Sequence, residues 1–335
     1  MIGIERVSIY EPEHRETAAV LAEKTTIPEH VIKEKFGLFE KRIAPKEMHA
    51  SDLAVAAGKN ILQDIDPKSI DVVIYFGSPY KDYQVWTASS KIQHELGTTN
   101  AYSFEMMNVS SCFPIAVKVA KDMLVSDQSI RNILLVGGSK ESQIVNYQNP
   151  RSRFMFNFAD GGAAALITRE ATRSEILASS ILTDGSFSKD VLIPGGGSVH
   201  PVSSEVVEKD MHYIDVPDPL SMKERLDPVS IPNFVKVIKN ALEKSGATLH
   251  DLKLLLPLHT KKSMFTEILT QVGLSENQAV YLTHHGHMSA LDPCYGLYFA
   301  EIDGLLKEGD IAVAVSAGTG YTWAATAIKW HGKRL

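Results

Sequence analysis

Cys112 stands in the segment Asn108-Val109-Ser110-Ser111-Cys112-Phe113-Pro114, immediately before a helical pattern running from Ile115 to Leu124. Pro114 fits a first helical position, and Ser110 or Ser111 is the expected cap. A thiol at a helix N-terminus meets partial positive charge, which favours the thiolate and nucleophilic chemistry. A buried structural cysteine fits the same context, so at this point both readings stand. Cys294, within the helical run Leu291 to Leu305, has no such terminus and reads as core filler. Two groups of imidazoles follow apolar strands. His259 comes after Leu254-Leu255-Leu256 through Pro257-Leu258, at the carboxyl end of a strand, where α/β proteins place their sites. Thr283-His284-His285-Gly286-His287 forms the second group. Three close histidines suggest zinc, but no carboxylate or cysteine stands at ligand spacing on a helix, so no metal is expected. A cysteine with imidazoles at strand ends fits covalent catalysis better.

The elements that position these groups follow from periodicity. Short, wholly apolar runs read as strands buried on both faces. They are 72–76, 133–136, 163–167, 254–256 and 311–315. Helical patterns alternate with them at 51–62, 87–96 and 234–242, so the class is α/β. The order helix, strand, loop, helix, strand (102–105 in one half, 280–282 in the other) recurs, which indicates an internal duplication. Ile133 lies 21 residues after Cys112 and Ile311 lies 21 after Ala290, which pairs Cys112 with Ala290 as heads of equivalent helices. The halves divide at about 170/171: residues 1–170 carry the cysteine, residues 171–335 the histidines. The stretch 186–232, rich in proline and containing Gly195-Gly196-Gly197, reads as an irregular insertion. The glycine-rich segments at 159–163 and 316–321 lack the Gly-Lys-Ser/Thr of a phosphate loop and read as tight turns with N–H groups toward the site.

Bulk properties narrow the partners. The 335 residues carry a formal charge of −6, with 44% hydrophobic and 22% charged residues. No basic field invites nucleic acid, and no apolar run is long enough to span a bilayer. The N-terminus has no secretory pattern, and two cysteines make no disulfide framework, so a cytoplasmic setting is expected.

Taken together, these residues resemble the thiolase superfamily, and within it β-ketoacyl-acyl-carrier-protein synthase III. The markers are Lys41-Arg42-Ile43-Ala44, the Cys112 segment, Asp160-Gly161-Gly162-Ala163, Pro257-Leu258-His259, 285–290 and 318–323, in family order along nearly the whole chain. The resemblance implies a five-layered αβαβα fold of two duplicated halves, a homodimer, and acyl-CoA or acyl carrier protein thioesters as substrates, with no cofactor. It also implies acylation of Cys112, His259 as first catalytic histidine, and an oxyanion hole from the Cys112 N–H and the Gly318 to Gly320 turn. His287 stands where the family has an asparagine, and Lys262 replaces another. Phe113-Pro114 replaces small residues, and Val31 stands where a tryptophan commonly stacks on adenine. Trp86, Phe113, Phe158 and Lys262 are the expected substrate-pocket residues, Trp86 reaching across the dimer. Two imidazoles suit decarboxylative condensation with a malonyl thioester. Acyl transfer to a hydroxyl or amine, with a histidine as base, is the alternative, and a silent partner subunit a third.

Overall fold

The computed structural model describes residues 1–332. Eleven strands are assigned among them: β1 (Gly3–Tyr10), β2 (Arg15–Thr17), β3 (Glu40–Arg42), β4 (Val72–Tyr75), β5 (Tyr102–Glu105), β6 (Asn132–Lys140), β7 (Asp160–Thr168), β8 (Ser174–Thr183), β9 (Leu252–Pro257), β10 (Ile311–Gly318) and β11 (Thr322–Trp330). Two sheets dominate, with strand orders β1-β7-β6-β4-β5 and β8-β11-β10-β9. The pairing β4–β6 is parallel and β6–β7 antiparallel. Its counterpart in the second sheet repeats this, with β9–β10 parallel and β10–β11 antiparallel.

Side-chain alternation explains the layering. Val72, Ile74, Ile133 and Leu135 point into the central core, while Val73, Tyr75, Leu134 and Val136 point to the opposite face. That outer face is covered by the Ala50–Ile61 and Ala88–Glu95 helices. Ala312 and Ala314 likewise face the centre, and Val313 and Val315 face the Pro219–Lys244 and Lys262–Val272 helices. Between the sheets lie the Cys112–Ser126 and Asp292–Ile302 helices. The result is five layers, αβαβα, from two duplicated halves. A sheet with apolar side chains on both faces can only be buried by helices on both sides.

Several expectations need correction. Residues 280–282 form no strand: only Ala279 bridges Leu255, with the Val280 N–H donating to the Leu255 carbonyl at 3.1 Å. The helix expected from Phe234 begins at Pro219, so the last part of the 186–232 stretch is helical despite Pro228 and Pro232. Both prolines are exposed, so water can satisfy the carbonyls their missing N–H groups leave free. Asp160-Gly161-Gly162 begins strand β7 and is no turn. A Cβ on Gly162 would lie 2.0 Å from the Leu53 carbonyl oxygen, so glycine there permits close helix–sheet packing. Among the described residues, no helix is long and apolar enough to cross a membrane.

Candidate active site

Cys112 is the first residue of the inter-sheet helix and is fully buried, its Sγ 3.5 Å from the Met106 carbonyl oxygen. A short 3-10 turn, Val109–Ser111, delivers it, opened by Val109 at φ +48°. The matching turn in the second half is Ser289–Leu291, opened near Ser289 at φ +55° and followed by the helix that Asp292 begins. The place of Cys112 is therefore taken by Asp292 rather than Ala290. Counting back from the strands failed because the two helices differ in length, 15 residues against 11.

Neither serine caps the helix. Ser111 Oγ donates to the Asn108 carbonyl (2.8 Å), and Ser110 Oγ lies 2.9 Å from His287 Nε2. His287 Nδ1 in turn lies 2.5 Å from Asp292 Oδ2. Asp292 is fully buried and also accepts from the Met288 N–H (2.8 Å, Oδ1) and the His259 N–H (2.8 Å, Oδ2). A carboxylate can only accept, so Nδ1 of His287 carries the proton and Nε2 of the neutral ring is an acceptor. Burial disfavours the imidazolium, but the charge and hydrogen bond of Asp292 and the charge of Glu141 outweigh it, and His287 titrates above the ordinary histidine value. Phe158 packs its ring against His287 at 5.3 Å.

His259 is in the opposite state. Its Nδ1 faces the Asn157 amide nitrogen at 2.9 Å and its Nε2 the Gly37 carbonyl at 3.3 Å, which makes Nε2–H the donor. The ring stacks on Tyr281. Burial pushes His259 down to about 4, against the raising influence of Asp292 and the Gly37 bond. It is a neutral imidazole throughout the physiological range. Burial also pushes the Cys112 thiol up to about 12, with a backbone hydrogen bond at Asn108 pulling the other way. The expected thiolate is thus reversed at rest: loss of hydration outweighs the helix terminus, and Cys112 needs a base. Cys294 is buried in the central core, its thiol raised further by burial.

The remaining expected residues divide. Gly318 ends β10 against the nucleophile turn, where a Cβ would lie 2.4 Å from the Asn108 carbonyl oxygen. Gly320, at φ +129°, follows in open space. The Cys112 N–H closes the 3-10 turn on the Val109 carbonyl, so it is already engaged. Ser316 Oγ donates to the Ser110 carbonyl at 2.5 Å, tying the turn to β10. Phe113 points away into the core against Phe76. Lys262 pairs with Glu276 at 2.8 Å on the surface. Trp86 is half-buried, packed on the outer core of the first sheet and edge-on to Tyr83. A cavity of about 140 Å³ lined by Ser78, Lys81, Glu105, Met106 and Met107 adjoins the Met106 carbonyl that faces Cys112. His284, His285 and His287 diverge toward Phe39, Glu11 and Asp292 respectively.

Sequence reading missed Ser110 as a partner of His287, together with Asp292 and Asn157. Asp292 before Pro293 looks like an ordinary helix cap, which hid its second task. Asn157, between two phenylalanines, carried the available signal: a polar residue in an apolar run is buried for a reason.

Comparison with known proteins decides the family. The model for 3-oxoacyl-[acyl-carrier-protein (ACP)] synthase III matches residues 104–185, and that for its C-terminal part matches residues 242–330. A β-ketoacyl-[acyl-carrier-protein] synthase III of Caldanaerobacter subterraneus subsp. tengcongensis is 31% identical over 336 residues, covering 98% of this chain and 97% of the relative. The chain belongs to the 3-oxoacyl-ACP synthase III family. A synthase III of Syntrophomonas wolfei is 29% identical over 89% of this chain and 88% of its own. The crystal structure of the synthase III from Aquifex aeolicus superposes with a TM-score of 0.85 at 22% identity, covering 98% of this chain and 100% of that one, which bears on the fold. As a synthase III the chain is an acyltransferase.

Proposed function

We propose that the enzyme acylates Cys112 from an acyl-CoA or acyl carrier protein thioester and condenses that acyl group with a malonyl thioester, releasing carbon dioxide. The observation that carries the reading is the complementary state of the two imidazoles: His287 bonds Asp292 through Nδ1 and so has its lone pair at Nε2, whereas His259 bonds Asn157 through Nδ1 and has its N–H at Nε2. His287 Nε2 accepts from Ser110 at rest; on release of that bond it takes the thiol proton that burial would otherwise hold, then passes it to the departing thiolate. His259 carries a neutral N–H at Nε2, held by a long 3.3 Å bond to the Gly37 carbonyl, and its release from that bond or sharing with it suits the enolate oxygen as carboxylate is lost. The enolate carbon attacks the acyl carbonyl, the C–S bond breaks, and Cys112 departs as a thiolate that takes up one proton from solvent. An oxyanion hole from the Cys112 and Gly318 to Gly320 amides requires the Val109 bond to be released or shared. Phe158 on His287 and the cavity beside Met106 then bound the acyl group.

Among the described residues β5 ends its sheet with an unpaired edge that exposes Tyr102, and Met107 beyond it is exposed too. Such an edge invites a second copy. A homodimer in the cytoplasm, with Trp86 near the partner's pocket, completes the reading. The same His287 lone pair favours a second outcome, acyl transfer from Cys112 to a hydroxyl or amine, because it is a base rather than an amide-like donor. Carbon dioxide release from malonyl-CoA and malonyl carrier protein by the acylated enzyme separates them. Release with formation of a β-ketoacyl thioester is expected; its absence with both donors sinks condensation.

A further inference from the structure

The chain Ser110–His287–Asp292 has the geometry of a second nucleophilic centre. Ser110 Oγ stands 2.9 Å from His287 Nε2, and Nδ1 stands 2.5 Å from Asp292 Oδ2. These distances match a nucleophile–base–orienter set. The bonds from Met288 N–H and His259 N–H fix Asp292 in place. With Nδ1 protonated, Nε2 accepts, so the Ser110 hydroxyl donates its proton to the base. The residue lies in a turn that follows strand β5, opens with a positive φ and runs directly into a helix N-terminus. Sharp strand–turn–helix connections are how several hydrolases present a serine. Its carbonyl is pinned by Ser316. Ser111, one residue on, uses its hydroxyl within the turn and meets no imidazole.

We propose that Ser110 is a second acyl acceptor, taking acyl groups from thioesters as an oxyester and releasing them to water. The inference rests on the reading of this site as an acyl-thioester site. In the first step Ser110 Oγ bonds to the acyl carbon as the C–S bond breaks, and the hydroxyl proton passes through His287 to the leaving thiolate. In the second, water adds to the ester carbon, its proton passes to His287, and the C–Oγ bond breaks with return of that proton to Ser110. The net reaction is thioester plus water to carboxylic acid plus thiol. It needs no group beyond those named.

Neutral hydroxylamine distinguishes the two adducts, since it cleaves thioesters and spares oxyesters. Wild type, Cys112→Ala and the Cys112→Ala/Ser110→Ala double variant are incubated with acetyl-CoA and with octanoyl-CoA, then read by intact and peptide mass. Cys112→Ala is expected to carry a hydroxylamine-resistant adduct on the Ser110 peptide, or to release free acid at least about tenfold faster than the double variant. Diisopropyl fluorophosphate on the unaltered enzyme is expected to mark Ser110, a measurement free of any folding effect of substitution. The proposal is overturned if the fluorophosphate leaves Ser110 unmarked and Cys112→Ala shows neither adduct nor acid release beyond the double variant. It is equally overturned if the resistant adduct persists in the double variant. A labile adduct on wild type in those cases leaves the Cys112 reading intact; absence of that labile adduct counts against the Cys112 reading alone.

Discussion

Asp292→Asn tests the centre of the site with a nearly isosteric change. Three donors converge on the carboxylate: Met288 N–H, His259 N–H and His287 Nδ1–H. An amide has one oxygen and an NH2 group, so at least one buried donor loses its acceptor, at about 1–3 kcal/mol of stability. The charge is also lost. A hydrogen bond to a charged group contributes about 1.5–3 kcal/mol. If that support is lost as His287 takes up the thiol proton, Cys112 acylation slows by about 10- to 150-fold, at 1.36 kcal/mol per decade. The pH dependence has a definite sign. Asp292 holds His287 above the ordinary histidine value of about 6.5, so acylation that needs the neutral ring falls off on the acid side above that pH in wild type. Without the carboxylate, burial is the dominant influence left and the acid limb moves to lower pH. The assay is the rapid-mixing rate of Cys112 acylation by acetyl-CoA between pH 5 and 9, read by intact mass, with urea unfolding alongside. A variant that acylates within about twofold of wild type, with an unmoved acid limb, refutes the assignment of His287 as a base organised by Asp292.

Cys112→Ala is expected to lose the hydroxylamine-labile acyl adduct, whereas Cys294→Ala, altered only in the core, keeps it; a labile adduct surviving in the Cys112 variant would show the nucleophile to be elsewhere. His287→Asn and His287→Ala both lose the Nε2 base, so both are expected to slow Cys112 acylation alike; an acylation rate in His287→Asn close to wild type would remove the base assignment. His259→Ala removes the Nε2–H donor and is expected to slow carbon dioxide release from malonyl thioester on the order of a hundredfold. Trp86→Ala is expected to admit longer acyl groups if the indole limits the partner's pocket; an unchanged chain-length profile in a variant still dimeric by light scattering removes that role.

The sheets were legible because their strands are apolar on both faces, and runs such as Val72 to Phe76 allow no other burial. The helix at Pro219 was not, since Pro228 and Pro232 are breakers by rule and only exposure makes them tolerable. Residues 280–282 kept the composition of a strand, but one bridge at Ala279 is all that the second sheet accepts there. Cys112, His259 and His287 could be picked out because chemistry needs those residue types at strand ends and helix starts. Their ionisation could not. The cysteine's rise and the divergence of the two histidines come from burial and from Asp292, neither of which spacing reveals.

The duplication explains where the carboxylate that holds the His287 imidazole and the His259 backbone comes from. Cys112 and Asp292 occupy corresponding places, each the first residue of an inter-sheet helix after a 3-10 turn. Both helix N-termini favour negative charge. In the second half the Asp292 carboxylate supplies it, accepting from the Met288 and His259 amides and from His287. In the first half it appears only when the Cys112 proton is removed, because burial holds the thiol neutral until then. His287 bridges the two, bonded through Nδ1 to the carboxylate of its own half and through Nε2 to Ser110 of the other. A proton leaving the Cys112 segment for His287 therefore moves toward the fixed negative charge, and the thiolate it leaves behind faces a helix terminus. Replacing the family's asparagine with histidine would put an unsupported base at this junction; Asp292 beneath it makes the replacement workable.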